Sequence, residues 1–434
     1  MTERGTMTGW RLSACVAALG CAGFGAAAQD TTELRMMWYS DGIEGEVMAD
    51  LLERFEAEHP GIDVVLDNVA YQVTQEQLPI QLASGQGPDI ARVASNLKSD
   101  SAHWLDLRPY LSEEEVAYWE ENFGARFDWM RPDGSDAISG ILTQLTLTGA
   151  FANATLFEQA GVELPGPDAT WDEWIEASRA VAADQGLPAA FAVDRSGHRI
   201  SGPNASFGAD YIAEDGTPAP VDAGTLAFAE RLVSWTKDGT MLPDTWVSAA
   251  GTTYRDARET FVNAQVPFWY SGSWQVAFLS EAIGDAFDWV AVGSPCGPEG
   301  CSGLAGGAGL VAVEYTDHPE EVATLMTWLA SEEIVREFSE RTLFLPAHAG
   351  IVAAGGLDFA SEDPLVPPAL DRFVEASGET LPMADALPAW EWAGIYYGAL
   401  VSRISQVMAD EMSMEQAREL MDRDIADAVE NASQ

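Results

Sequence analysis

Leu34-Arg35-Met36-Met37-Trp38-Tyr39 opens the stretch whose reading decides the fold. Leu34, Met36 and Trp38 alternate with their neighbours, the period of a strand, and Asp41-Gly42 breaks the run. Val47, Leu51, Leu52 and Phe55 then recur at helical spacing until Pro60-Gly61. Ile62 to Leu66 reads as a second strand. Gln75 to Ala83 reads as a second helix, with Pro79 awkward inside it. Gly85-Gln86-Gly87-Pro88 punctuates, and Asp89 to Ala94 reads as a third strand. Strand, helix, strand, helix, strand is the order of a parallel sheet. Ligands of such sheets sit at the carboxyl ends of the strands, which makes Trp38 to Asp41 and Ala94 to Asn96 rim positions.

Outward from that unit the chain becomes more helical. Trp171 to Ala183 is amphipathic, with Thr170 placed to cap it and Glu173 three residues on. Ala223 to Asp238 predicts another helix, closed by Gly239. Val266 to Tyr270 predicts a strand leading into Ser271-Gly272-Ser273-Trp274, and a Gly-rich stretch, Gly303 to Gly309, precedes a strand at Leu310 to Val313. Helices follow at Pro319 to Ala330, Glu332 to Ser339, Trp392 to Ala409 and Met414 to Val429. There is no internal repeat and no long low-complexity linker.

A length of 434 residues predicts two or three domains, and 47% hydrophobic residues suffice for a sizeable core. Lys and Arg total 22 against 69 Asp and Glu, a net charge of -47. Such a chain repels phosphate backbones and anionic lipid, which argues against a nucleic-acid partner. The same charge fits a solvated acidic surface, a salt-adapted organism or a cationic ligand.

Arg4 and Arg11 precede an apolar, small-residue run from Leu12 to Ala28, and Ala26-Ala27-Ala28 stands before Gln29. This predicts a secretory signal over 1–28, cleaved after Ala28. Lipid attachment at Cys21, preceded by Ala18-Leu19-Gly20, is the alternative. Cys15 and Cys21 fall within the signal. Cys296 and Cys301 remain, and in an oxidising compartment a small loop disulfide is expected. Two Cys with no nearby His cannot complete a zinc site. His59, His103, His198, His318 and His348 show no metal spacing, Ser271-Gly272-Ser273 is not a nucleophile elbow, and no phosphate loop is present. With 69 acids, chance carboxylate pairs carry no weight for glycoside hydrolysis. No cofactor or metal is expected.

These pieces, in their order, resemble the extracellular solute-binding proteins of sugar ABC importers, the maltose-binding-like group. The resemblance rests on Trp38-Tyr39-Ser40-Asp41, on Phe55-Glu56-Ala57-Glu58-His59-Pro60-Gly61 and on Ala83-Ser84-Gly85-Gln86-Gly87-Pro88-Asp89-Ile90. It continues through Asn153 with Leu156 to Val162, Thr170-Trp171-Asp172-Glu173-Trp174, Gly272-Ser273-Trp274, Gly306 to Val313 and Trp328 to Glu333. Phe151-Ala152 departs from the Tyr pair usual in that group. The resemblance implies an α/β, two-lobed periplasmic binding protein fold with a hinge and an interlobe ligand cleft. It places crossings near Leu142 to Leu147, Gly303 to Gly309 and Phe344 to His348. Lobe one would comprise 29–143 plus 305–346, and lobe two 144–304 plus 347–434. It also implies a periplasmic monomer that closes on its ligand and docks on a membrane permease.

A sugar offers weakly apolar C–H faces to flat rings and hydroxyls to fixed polar partners, so its site should interleave aromatics with polar side chains. The chain has 15 Trp. The strand ends and the resemblance together nominate Tyr39, Ser40, Asp41, Gln75, Ser95 and Asn96 from lobe one. From lobe two they nominate Asn204, Ser206 and Phe207, taken as a Gly/Pro-bounded ligand loop, with Trp274, Trp390 and Trp392. Arg195, His198 and Arg199 form a basic cluster unusual in this chain, and Arg341 stands beside the third crossing; either arginine site fits a salt bridge or an acidic group on the ligand, such as a uronate. The expected function is capture of a mono- or oligosaccharide without covalent chemistry, with Trp274→Ala and Trp390→Ala weakening binding without unfolding. A binding protein for a cationic solute such as a polyamine, and a secreted carbohydrate-active enzyme, are the alternatives.

Overall fold

Thr32–Tyr39 (β1) alternates only at its start; from Met36 to Tyr39 every side chain is buried, as expected of a strand covered on both faces. It pairs in parallel with Ile62–Val69 (β2) on one side and Ile90–Val93 (β3) on the other. This is a computed structural model, and it describes residues 31–94, 97–247, 254–354, 357, 359 and 361–432. The expected export segment, with Cys15, Cys21 and Ala28, lies outside the described residues.

The crossover from β1 to β2 is the helix Glu44–Glu58, which buries Val47, Leu51, Leu52 and Phe55 as its spacing requires. The crossover from β2 to β3 differs from the expected single helix. It consists of two short helices, Tyr71–Glu76 and Leu78–Ala83, with Pro79 in the first turn of the second. Proline lacks an N–H and is tolerated only in a first turn, so the chain restarts at Gln77 to accommodate it.

Gly140–Asn153 (β4) is the longest strand. After it come Phe191–Val193 (β5), Phe268–Gly272 (β6) and Trp289–Gly293 (β7). Cys296–Gly297 (β8) and Gly300–Cys301 (β9) form a hairpin that sets Cys296 opposite Cys301, where a disulfide fits. Ala305–Ala312 (β10) completes the set; the Gly-rich stretch expected to precede a strand is itself strand. The large sheet runs β2-β1-β3-β10-β4-β6-β5, with β7 also on β4. The first half of β4 pairs with β10 and the second half with β6 and β7, all antiparallel. One strand thus belongs to two halves of the molecule.

Apolar packing follows that division. One core holds Trp38, Phe55, Trp119, Leu142, Leu310, Phe338 and Phe344. Beyond Leu147 two further clusters form, one around Trp171, Trp174, Phe268 and Tyr396, the other around Phe151, Trp269, Trp289 and Phe373. Phe151 is fully buried among those rings, so its departure from a Tyr falls on a core position. A bridge between Leu145 and Leu345 brings a third segment to the junction, with the Leu145 N–H 2.8 Å from the Leu345 oxygen.

Among the described residues no helix is long and apolar enough to cross a membrane.

Candidate ligand-binding cleft

Between the two halves lies a cleft of about 870 Å³, open to solvent, whose floor is β4 and β10. Gln144 and Thr146 project into it from alternate positions of β4, and Ala305 to Gly307 line it from β10. Tyr39 and Asp41 enter from the end of β1, Tyr71 from the start of the helix after β2, and Trp129 from the same half. His198, Arg199, Tyr254, Trp274, Trp390 and Tyr397 face them from the other half. A second compartment of about 990 Å³ adjoins it through Tyr71, Arg199, Tyr254 and Tyr397, and is lined also by Gln75.

The cleft is bridged. Tyr71 meets Tyr254 edge-on, and the Arg258 Nη1 donates to the Asp41 backbone oxygen at 3.3 Å.

Its polar groups are held rigidly. Arg92 is fully buried beneath the β1 end, and its guanidinium lies 4.1 Å from the Tyr39 ring centroid and 4.8 Å from that of Trp38. It donates to the Tyr39 carbonyl, to Glu44 at 3.1 Å and to Gln144 at 2.9 Å. Glu44, itself buried, accepts the backbone N–H groups of Asp41 and Gly42 and so shapes the turn that presents Asp41. Burial, and the Glu44 charge beside it, push the Asp41 carboxyl up to about 6, against the pull of Arg92, Arg258 and Arg199.

Across the cleft, Arg199 stacks on Trp274 with its guanidinium carbon 4.1 Å from the ring centroid. Its Nε faces Asp194 at 3.5 Å and its Nη1 reaches His198 Nδ1 at 3.2 Å. Burial and the Arg199 charge hold His198 down to about 3, so the imidazole is neutral and Nδ1 is free to accept. Burial raises Asp194, although its carboxylate is well served by Trp269 Nε1 at 2.9 Å, Ser271 Oγ at 2.6 Å and the Ala257 N–H at 2.8 Å.

The structure brings together Tyr39, Asp41, Gln75, Trp274 and Trp390 from the residues nominated by sequence. It places others elsewhere. Ser40 bonds Asn68 at 3.2 Å. Asn204 and Ser206 are fully buried, and they lie in the helix Gly197–Ser206, not in a loop. Asn204 donates to the Tyr211 hydroxyl at 2.5 Å and Ser206 to the Pro203 oxygen at 2.7 Å. That helix persists with Pro203 inside it, and a Cβ at Gly197 or Gly202 would strike Tyr397 or the Gly303 backbone. The glycines that suggested a loop are therefore there for close packing. Phe207 packs on Phe228 and under Arg231. Trp392 packs against the second core. Arg341 is exposed and pairs with Asp50 at 2.5 Å and Glu337 at 3.2 Å. Arg195 turns to the Trp246 carbonyl at 2.7 Å and to Ser405, leaving Arg199 and His198 as the cluster's cleft residues. Ser95 and Asn96 lie outside the described residues.

Sequence reasoning passed over Tyr71, Gln144, Thr146, Tyr254 and Tyr397. The strand-end rule that nominated Tyr39 applies equally to Tyr71, just past β2. Tyr397 stands in the first turns of the helix Ala393–Met408, which follows Trp390 directly. Among the described residues no group of three His, Cys, Asp or Glu is placed to hold a metal ion.

Comparison with known proteins follows the geometry. A binding protein of Brucella abortus is 23% identical over 342 residues, spanning 74% of this chain and 78% of its own. An ABC substrate-binding protein from Listeria monocytogenes, solved with cycloalternan, superposes with a TM-score of 0.77 at 17% identity, over 92% of this chain and 99% of that one. The GacH receptor of Streptomyces glaucescens, solved unliganded and with acarbose, gives 0.75 at 16% identity, over 93% and 98%. A maltose-bound protein from T. maritima gives 0.73 at 17% identity, over 91% and 99%. These likenesses establish the two-lobed periplasmic binding protein fold. The model of the bacterial extracellular solute-binding proteins matches residues 39–335, well over half of the sequence, and the chain belongs to that family.

Proposed function

We propose that this protein is the carbohydrate-capturing component of an ABC importer, holding a mono- or oligosaccharide in its interlobe cleft and delivering it to a membrane permease. One observation carries the reading: rings from both halves (Tyr39, Tyr71, Trp129, Tyr254, Trp274, Trp390 and Tyr397) interleave with Asp41, Gln144, Thr146 and Arg199 around one cavity. Flat rings suit the C–H faces of a pyranose, and the polar groups between them suit its hydroxyls. The Listeria, Streptomyces and T. maritima proteins, each solved with a saccharide or an acarbose compound, support the same ligand class.

The lobes in this reading are 29–143 with 305–346 and 144–304 with 347–434. The division of the cores at β4 and β10 supports those limits. The protein acts as a periplasmic monomer, released after Ala28, with the Cys296–Cys301 bridge holding the hairpin next to the Gly197–Ser206 helix. Binding draws the lobes together, and the closed form is what the permease receives.

A thermal-shift screen of the mature chain tests this. Neutral mono- and oligosaccharides, polyols and polyamines form the panel. A saccharide present at a hundredfold excess over its Kd adds about 2.7 kcal/mol to the folded state and raises the melting temperature. A shift with polyamines alone overturns the carbohydrate reading.

A further inference from the structure

We propose that Arg199 makes this cleft selective for saccharides that carry a carboxylate, of the uronic-acid class. The proposal rests on the carbohydrate reading above and adds the charge of the ligand. Arg199 lines both compartments, at the point where they join. Its guanidinium is fixed on three sides: the Trp274 ring lies under its plane, Asp194 faces Nε, and neutral His198 accepts from Nη1. Among the described residues Nη2 has no protein acceptor. One edge of a planar cation is thus left for a ligand. An arginine so clamped loses little freedom when it binds, and a planar oxyanion is its natural partner.

The neighbouring charges strengthen this assignment. Asp194, the carboxylate closest to Arg199, accepts from Trp269, Ser271 and the Ala257 N–H, so it is an anchor rather than a competitor. Lys98, the other cleft cation, is taken up by the Arg131 oxygen at 2.8 Å and Asp133 at 2.6 Å. In a chain of 22 basic against 69 acidic residues, the cleft carboxylate Asp41 is nevertheless flanked by two other arginines: Arg92 Nη2 lies 3.9 Å from its Oδ2, and Arg258 donates to its backbone oxygen at 3.3 Å. The acidic surface does not forbid an anionic ligand, because salt screens its field within about 8 Å at physiological ionic strength.

The test is isothermal titration of the mature protein with matched pairs: glucuronate against glucose, galacturonate against galactose, and the corresponding disaccharides. The acidic member is expected to bind roughly 10- to 100-fold more tightly than its neutral counterpart, the range for a charge-assisted hydrogen bond. Added salt should weaken only the acidic member. Arg199→Gln should abolish the preference, and Arg199→Lys, which keeps the charge without the fork, should retain part of it. Circular dichroism melts of both variants identify any that misfold; if Arg199→Gln does, Arg199→Lys and the salt series carry the decision. Equal or tighter binding of the neutral member overturns the acidic assignment and leaves the carbohydrate reading in place. Binding of neither member, to a protein that melts cooperatively, overturns the carbohydrate reading and this assignment with it.

Discussion

The Tyr71 ring stands edge-on to Tyr254 across the cleft with centroids 5.2 Å apart, and edge-on to Tyr39 at 4.9 Å. The three rings form a ladder that ties the end of β1 to the opposite half. An aromatic pair of this kind contributes about 0.5–1.5 kcal/mol beyond its buried area. Tyr71→Ala should therefore lower the closed-to-open ratio of the ligand-free protein roughly 2- to 10-fold. Small-angle scattering should show a larger radius of gyration than wild type; an unchanged radius would mean that the ladder does not hold the halves together.

Trp274 carries two loads. It lies under Arg199 and is packed into the first core, with only 7% of its surface exposed. Trp274→Ala should thus destabilise the protein by about 3–5 kcal/mol, the usual loss for a buried aromatic, as well as weaken binding. The sequence reading expects binding to fall without unfolding; the burial of this ring adds a loss of stability to that expectation. Chemical denaturation reads the first effect and titration the second. Trp274→Phe, which keeps a ring under the guanidinium, should recover most of the stability.

Arg92 and Glu44 form a buried ion pair at 3.1 Å beneath the cleft. Removing one partner strands the other's charge, so Arg92→Met should lower stability by about 3–5 kcal/mol. The double variant Arg92→Met/Glu44→Gln should regain part of that loss in urea titrations. A double variant no better than the single one would show that Arg92 acts through its contacts with Tyr39 and Gln144 instead.

Asp41 and His198 should give opposite pH slopes. The folded-state value of Asp41 is raised to about 6 from 3.8, so the folded protein holds a proton that the unfolded chain has released; stability falls as pH rises across that window. His198 is lowered to about 3 from 6.5, so the unfolded chain takes up a proton first; stability is lost as pH falls below 6.5. Urea midpoints between pH 4 and 6 should rise more steeply with pH in Asp41→Asn than in wild type. In His198→Gln the same midpoints should rise less steeply, or fall. Parallel slopes in all three proteins would show that neither group is perturbed as described.

The first βαβαβ unit was legible because its signals are local: alternation, helical spacing and Gly/Pro punctuation. The strand-end rule reached Tyr39 and Asp41 for the same reason. The loop reading of Asn204, Ser206 and Phe207 met a helix instead, because glycine marks two different things, a turn or a close approach. Only the neighbours Tyr397 and Gly303 show that here it is the second. Pro79 misled in the other direction, since a break between two helices and a flaw in one look alike in sequence. Arg195 and Arg199 could not be told apart by spacing, because their partners, Ser405 and Trp274, are distant in the chain. Gln144 and Thr146 went unseen because a strand shared by the two halves of the molecule has no periodic signature of its own.

The pairing of β3 with β10 sets Val93 opposite Gly309, roughly two hundred residues away along the chain. The first core therefore cannot be completed from its own N-terminal segment. While the protein is being made, β3 has an open edge until β10 and the helices Pro319–Ala330 and Glu332–Thr342 arrive. Closing so long a loop before any of its contacts can form is slow. The half of the molecule that is read first is thus the half that finishes late, and the second half, threaded between its two parts, has to settle or stay loose while it waits.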